Sequence, residues 1–266
     1  MRSIAPADRP WRRRLHEVND EPAPWVYKYP ARWLAKLVLP LFIRRHWLGQ
    51  EHVPHEGGVI FVGNHISNAD PIPVAEYLVW AGRWPRFLGK AEVWRWPVIG
   101  WIARTTGQIP VYRDSERAGD SLVEARRALA EGLAIFIYPE GTITDDPDLW
   151  PMTGRRGAAL LALETGAPVV PVAQWGAHHI MGGRYVEWRR LLGGRRDVVI
   201  LAGPPVDLSE FRARMPAHGE APKELLDEVT DHLLDVLTHM VAELRDEPSP
   251  DGRWDMRVGR RVTKLA

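Results

Sequence analysis

His65 and Asp70, five residues apart, are the pair in this 266-residue sequence best suited to acid–base chemistry. Imidazole is the side chain whose ordinary pKa fits taking a proton near neutral pH. To do so it needs one ring nitrogen free and the other held as a donor. A carboxylate fixes that tautomer and stabilises the imidazolium that forms. Asp70 lies one turn beyond His65 and can reach back to it. On spacing alone, a loop histidine beside an unrelated helix-capping aspartate is the simpler account.

Three further runs carry chemistry. Gly107-Gln108-Ile109-Pro110-Val111-Tyr112-Arg113 reads as a strand that delivers a guanidinium at its end, and arginine suits two-point binding of phosphate. That strand is expected to lie beside the one bearing Glu140. Tyr138-Pro139-Glu140-Gly141-Thr142 is a strand end followed by a carboxylate able to accept a polyol hydroxyl. Its glycine permits close backbone approach to a ligand. Val169-Val170-Pro171-Val172 is an apolar strand whose proline predicts an edge or strained position. Each run alone fits an ordinary turn or strand.

In order, and spread over roughly residues 57–173, the four runs are far more specific. Together they resemble the PlsC-like glycerolipid acyltransferase family, typified by 1-acylglycerol-3-phosphate acyltransferase. Its marks are Asn-His-x-x-x-x-Asp, Gly-x-Ile-x-Val-x-Arg, Phe/Tyr-Pro-Glu-Gly-Thr and a Val-Pro-Val block. The resemblance implies His65 as general base, Asp70 as its partner and Arg113 as phosphate ligand. It implies substrate contacts from Asn64, Glu140, Gly141 and Thr142. It implies an acyl-CoA or acyl-carrier-protein co-substrate, a lysophosphatidic acid acceptor and no resident cofactor or metal. The family often has a second phosphate-binding arginine after Glu-Gly-Thr, where this chain has Ile143. Lys90, Arg155 or Arg156 is then expected to supply that charge. Glycerol-3-phosphate or a glycosylated phosphoinositide is the alternative acceptor. A non-catalytic lipid-surface module is the rival from another class, and it would not require a base.

Elements that position these residues follow from periodicity. The run Val59–Val62 predicts a strand entering the His65 turn, and Pro71–Trp80 the helix after it. A strand edge is expected at Pro85–Leu88 and a short helix at Val98–Ala103. Ile109–Tyr112, Ala134–Tyr138, Val169–Ala173 and Val198–Ala202 read as strands. Ser115–Ala130, Gly157–Glu164 and Pro222–Leu244 read as helices. This alternation predicts a single α/β domain over 49–245: a mostly buried mixed sheet flanked by helices. Residues 1–48 read as a basic arm and an amphipathic helix over 30–48, kinked at Pro40. Asp246–Ala266 is charged and aperiodic, and reads as a tail.

Composition narrows the classes. There is no cysteine, which excludes disulfides and thiolate chemistry. The net charge is +1, yet residues 1–50 hold ten Lys and Arg against four acids, an excess that suits an anionic lipid surface. The arginines near the N-terminus precede no apolar stretch, unlike a secretory signal. Leu37–Ile43 is far too short to span a bilayer, so a peripheral position on the cytoplasmic face of the membrane is expected. Thirteen tryptophans fit either a core or an interface. No nucleotide-binding loop, no Gly-x-Ser-x-Gly elbow and no nucleic-acid recognition motif occurs. His178 and His179, read on a strand, point to opposite faces and make a poor metal pair. Asp145, Asp146 and Asp148 read as a solvated acidic loop.

Overall fold

The computed structural model describes residues 13–21, 25–112, 120–183, 185, 187, 189–190 and 193–263. Arg113 lies outside them. Among the described residues, nine strands run in chain order: β1 (Ile43–Leu48), β2 (Val59–Gly63), β3 (Arg86–Lys90), β4 (Ile109–Val111), β5 (Ala134–Ile137), β6 (Val169–Trp175), β7 (Arg196–Ala202), β8 (Arg253–Asp255) and β9 (Arg260–Val262). The helices that matter here are α1 (Trp25–Trp33), α2 (Pro71–Trp80), α3 (Pro97–Thr105), α4 (Asp120–Ala130), α5 (Gly157–Thr165) and α6 (Lys223–Arg245).

Seven strands form one sheet in the order β1-β7-β6-β2-β5-β3-β4. Among the described residues of this sheet, only the β6–β7 pairing is antiparallel. Period-2 alternation divides the core between the two faces. Ile60, Val62, Ile135 and Ile137 pack against α4, α5 and α6. Val59, Phe61, Ala134 and Phe136 point the other way, onto Val74, Tyr77 and Leu78 of α2. Both faces are covered, so the central strands are apolar throughout, as parallel strands in α/β folds are. β2, β5 and β3 are parallel and adjacent. Their C-terminal ends therefore share one edge, where α/β sheets present reactive groups.

Several expectations change. The sequence Ile43–Leu48 reads as the end of a helix but forms β1, paired with β7 from Ile43↔Arg196 to Leu48↔Leu201. The domain therefore begins before residue 49. The helical segment starts earlier, at Trp25. It passes through a π-helical turn (Leu34–Val38) before a last turn, Leu39–Phe42, that carries Pro40. A π turn changes the local hydrogen-bond spacing near that proline. Pro171 sits in an interior strand, not at an edge. Pairing of β6 with β7 starts at Val172↔Ala202, so the missing N–H of Pro171 falls outside that ladder. Its carbonyl still accepts the Gly203 N–H at 2.9 Å. β4 pairs with β3 and not with β5, so the strand leading to Arg113 is one strand removed from the strand leading to Glu140. The expected C-terminal tail contains the hairpin β8–β9.

A buried ion pair ties the N-terminal segment to the domain. Arg45 Nε lies 2.9 Å from Glu76 Oε2 on α2, and both side chains are almost fully buried. Burial raises the Glu76 pKa even though Arg45 opposes it. The same guanidinium donates to the Ala35 carbonyl in the π-helical turn.

Candidate active site

β2 ends at Gly63, and the chain turns through Asn64-His65-Ile66-Ser67 before α2 begins. The Asp70 carboxylate points back into this turn instead of forward along the helix it precedes. Its Oδ2 accepts from His65 Nδ1 at 2.8 Å, from the Ile66 N–H at 2.7 Å and from the Ser67 N–H at 2.8 Å. No side-chain cap bond to α2 forms, so the helix-capping account of Asp70 fails. Oδ2 already accepts two main-chain N–H groups, so it acts as acceptor and Nδ1 as donor, which leaves Nε2 as the nitrogen outside this contact. The imidazole is 17% exposed, whereas Asp70 is fully buried. The imidazole is thus partly open to solvent, and the carboxylate is closed to it.

Glu140 fixes the same turn from the far side. Its Oε1 accepts the His65 N–H at 2.9 Å, and its Oε2 accepts the Met152 N–H at 3.0 Å. The His65 carbonyl in turn accepts the Thr144 N–H at 2.8 Å. Glu140 is thus a bracket between the histidine turn and the loop that follows β5. Burial pushes its pKa up to about 8, against the lowering effect of those two N–H groups. The expected contact of its carboxylate with an acceptor hydroxyl is replaced here by backbone donors.

The remaining expected residues divide. Asn64 is fully buried and locks β2 to β6: its Oδ1 accepts the Gln174 N–H at 2.9 Å, and its Nδ2 donates to the Gln174 carbonyl at 3.0 Å. Gly141 has φ +70°, and a Cβ there would come within 2.9 Å of Arg155. The Arg155 side chain therefore lies directly against that glycine. Arg156 instead pairs with Asp227 of α6 at 2.5 Å and is not brought to the site. Lys90 is exposed at the C-terminal end of β3, on the same sheet edge as His65. Thr142 is half-buried, and Ile143 is buried.

Sequence reasoning missed Tyr138. Its ring stacks on His65 at 4.1 Å between centroids and 16° between planes. Its hydroxyl is buried with no hydrogen-bond partner among the described residues. Gln174, the partner of Asn64, and the Met152 N–H left no sequence signal, because their short contacts to Asn64 and Glu140 are made by main-chain groups. His178 and His179 lie on a four-residue helix, not a strand. No group of three or more metal-ligating side chains occurs among the described residues.

A family model described as Acyltransferase matches residues 44–175. This span carries the histidine turn and the Glu140 bracket. The chain belongs to this acyltransferase family. Over 157 residues it is 31% identical to a chloroplastic 1-acyl-sn-glycerol-3-phosphate acyltransferase of Brassica napus, covering 58% of this chain and 44% of that one. Over 144 residues it is 38% identical to a lyso-ornithine lipid O-acyltransferase of Pseudomonas aeruginosa, covering 53% of this chain and 51% of that one. The chain thus spans about half the length of these curated relatives. The fold matches the crystal structure of the 1-acyl-sn-glycerophosphate acyltransferase PlsC from Thermotoga maritima. That match has a TM-score of 0.58 and 24% identity over 89% of this chain and 81% of that one.

Proposed function

We propose that this protein transfers a fatty acyl group from a thioester carrier to the free hydroxyl of lysophosphatidic acid. The observation that carries the reading is the His65–Asp70 contact, which leaves Nε2 as a base facing substrate. Nε2 takes the hydroxyl proton as the oxygen attacks the thioester carbonyl. The tetrahedral intermediate collapses, the C–S bond breaks, and the thiolate leaves with the proton from the imidazolium. Asp70 holds Nδ1–H throughout and stabilises the cation between the two steps. The sequence offers no cysteine for a covalent acyl-enzyme, and none is required. General-base action supplies on the order of 10²–10⁴ in rate, so positioning supplies much of the rest. Arg113, Lys90 and Arg155 are the cations assigned to the acceptor's phosphate, and the donor is acyl-CoA or an acyl-carrier protein.

A second acceptor is favoured by one feature of the site. The position after Glu-Gly-Thr holds Ile143, buried and uncharged, and Arg156 is committed to Asp227. Neither Ile143 nor Arg156 then supplies a second phosphate-binding charge after Glu-Gly-Thr, and a relative at 38% identity is named for a lyso-ornithine lipid. The test is a panel of labelled acyl thioesters on both carriers with lysophosphatidic acid, lyso-ornithine lipid and glycerol-3-phosphate. Product with lysophosphatidic acid supports the first reading, and product with lyso-ornithine lipid alone supports the second. A folded protein that acylates none of them contradicts both.

The reaction takes place at a membrane surface, peripherally and on the cytoplasmic face. No helix among the described residues is long and apolar enough to cross a membrane. Trp25, Tyr29, Trp33, Leu37 and Leu41 nevertheless form an exposed stripe at four-residue spacing, beside the exposed Arg32 and Lys36. Trp96, Val98, Ile99, Trp101 and Ile102 form a second exposed apolar patch on and just before α3, which follows the C-terminal end of β3. Exposed apolar area of this extent, with tryptophan and basic neighbours, suits the headgroup region of a bilayer.

A further inference from the structure

The loop that follows Glu140 is held from outside by the end of the chain. Arg261 on β9 grips Asp146 with two nitrogens, Nε to Oδ2 and a terminal nitrogen to Oδ1, each at 2.8 Å. The same terminal nitrogen reaches Asp148 at 2.7 Å. Asp146 is almost fully buried, so the expected solvated acidic loop holds for the exposed Asp148 and not for Asp146. A second tie comes from the Thr153 N–H, which donates to the Trp254 carbonyl of β8 at 3.0 Å. A third comes from Arg245 at the end of α6, which lies over the Trp150 and Trp175 rings and donates to the Asp148 carbonyl. Arg253 anchors the hairpin itself on Asp231 and Asp235 of α6.

The clamped loop is the one that shapes the histidine turn. Thr144 donates its N–H to the His65 carbonyl, and its hydroxyl accepts the Asp146 N–H and donates to the Trp150 carbonyl. Met152 closes the loop on Glu140, which receives the His65 N–H. Between them, Leu149 has φ +62°, a left-handed conformation that a leucine adopts only when its surroundings impose it. A loop with that strain needs an external hold, and Arg261 sits where the hold is needed. An unbroken chain of contacts then runs from Arg261 through Asp146 and Thr144 to His65.

We propose that Arg261 is a positioning residue for His65: the docked β8–β9 hairpin sets the Glu140–Thr153 loop in the shape that fixes the imidazole. The inference rests on His65 being the base, and one readout does not depend on that. The Nδ1–H of an imidazole bonded to a carboxylate gives a downfield proton signal, assigned here by its absence in His65→Ala. The experiment records this signal, kcat, KM and the thermal unfolding of Arg261→Ala and Arg261→Lys in the full chain. Arg261→Ala is expected to keep a cooperative unfolding transition and to shift or broaden the signal. It should lose about tenfold in kcat with both KM values within about twofold, as for a base displaced by a fraction of an ångström. Arg261→Lys keeps the charge but spans one carboxylate, and should fall in between. A folded Arg261→Ala protein with wild-type kcat and an unmoved signal overturns the proposal. If Arg261→Ala does not fold, wild-type kcat in Arg261→Lys overturns it and an intermediate value supports it. A wild-type rate in His65→Ala would contradict the base assignment instead, while the signal would still report whether the hairpin sets the imidazole.

Discussion

At the scale of single residues, the site is an economy of backbone donors. Asp70 and Glu140 are buried carboxylates that spend their oxygens on N–H groups of the histidine turn. Glu140 has a pKa raised from 4.5 to about 8, so its ionisation is easier in the unfolded chain. Its contribution is fully present below about pH 4.5 and is lost as pH rises through about 8. Glu140→Gln removes that titration. The stability of the wild type relative to the variant should therefore fall between those two pH values, read as the difference of thermal midpoints across a pH series. A flat difference would show that the Glu140 environment is not the one described. The His65–Asp70 pair was legible in the sequence because its partners are five residues apart in one turn. The role of Glu140 was not, because its partners are the main-chain N–H groups of residues 75 and 12 positions away, which no side-chain pattern records.

At the scale of elements, the apolar runs of β2, β5 and β6 announced themselves because both sheet faces are covered. The strand β1 did not. Its sequence, Ile-Arg-Arg-His-Trp-Leu, continues the helical pattern before it, and only pairing with β7 settles its form. β8 and β9 are three residues each and rich in arginine, so they carry no apolar alternation to separate them from a tail. The Arg45–Glu76 pair ties β1, the π-helical turn and α2 together. Glu76→Ala leaves a guanidinium buried without its carboxylate, which costs about 3–5 kcal/mol. Chemical denaturation should show a loss of that size. A loss no larger than that of an exposed pair would mean the guanidinium finds solvent.

At the scale of the whole molecule, the exposed aromatic stripe and the α3 patch have no covering partner among the described residues. Deleting residues 1–48 would remove β1 from the sheet, so substitution is the sound way to test the surface. Replacing Trp25, Trp33, Leu37 and Leu41 by serine should release the protein from vesicles containing anionic lipid while leaving turnover on a water-soluble short-chain acceptor intact. Vesicle sedimentation at low and high salt reads the first, and a solution assay the second. Unchanged sedimentation would assign membrane contact to the α3 patch or elsewhere. The overall architecture was readable from the sequence as an α/β domain with a buried mixed sheet. The strand order was not, because periodicity reports which face a residue occupies and not which strand lies next to it.

In the proposed reaction the imidazole of His65, oriented by Asp70, activates the acceptor hydroxyl. The most direct measurement is transfer of a labelled acyl group from its thioester to lysophosphatidic acid by wild type, His65→Ala and Asp70→Asn proteins shown to be folded by their thermal transitions. Product is expected with wild type, none above background with His65→Ala, and a loss of roughly 10²–10⁴ with Asp70→Asn, whose amide cannot hold the same tautomer. Substantial turnover by a folded His65→Ala protein would contradict it.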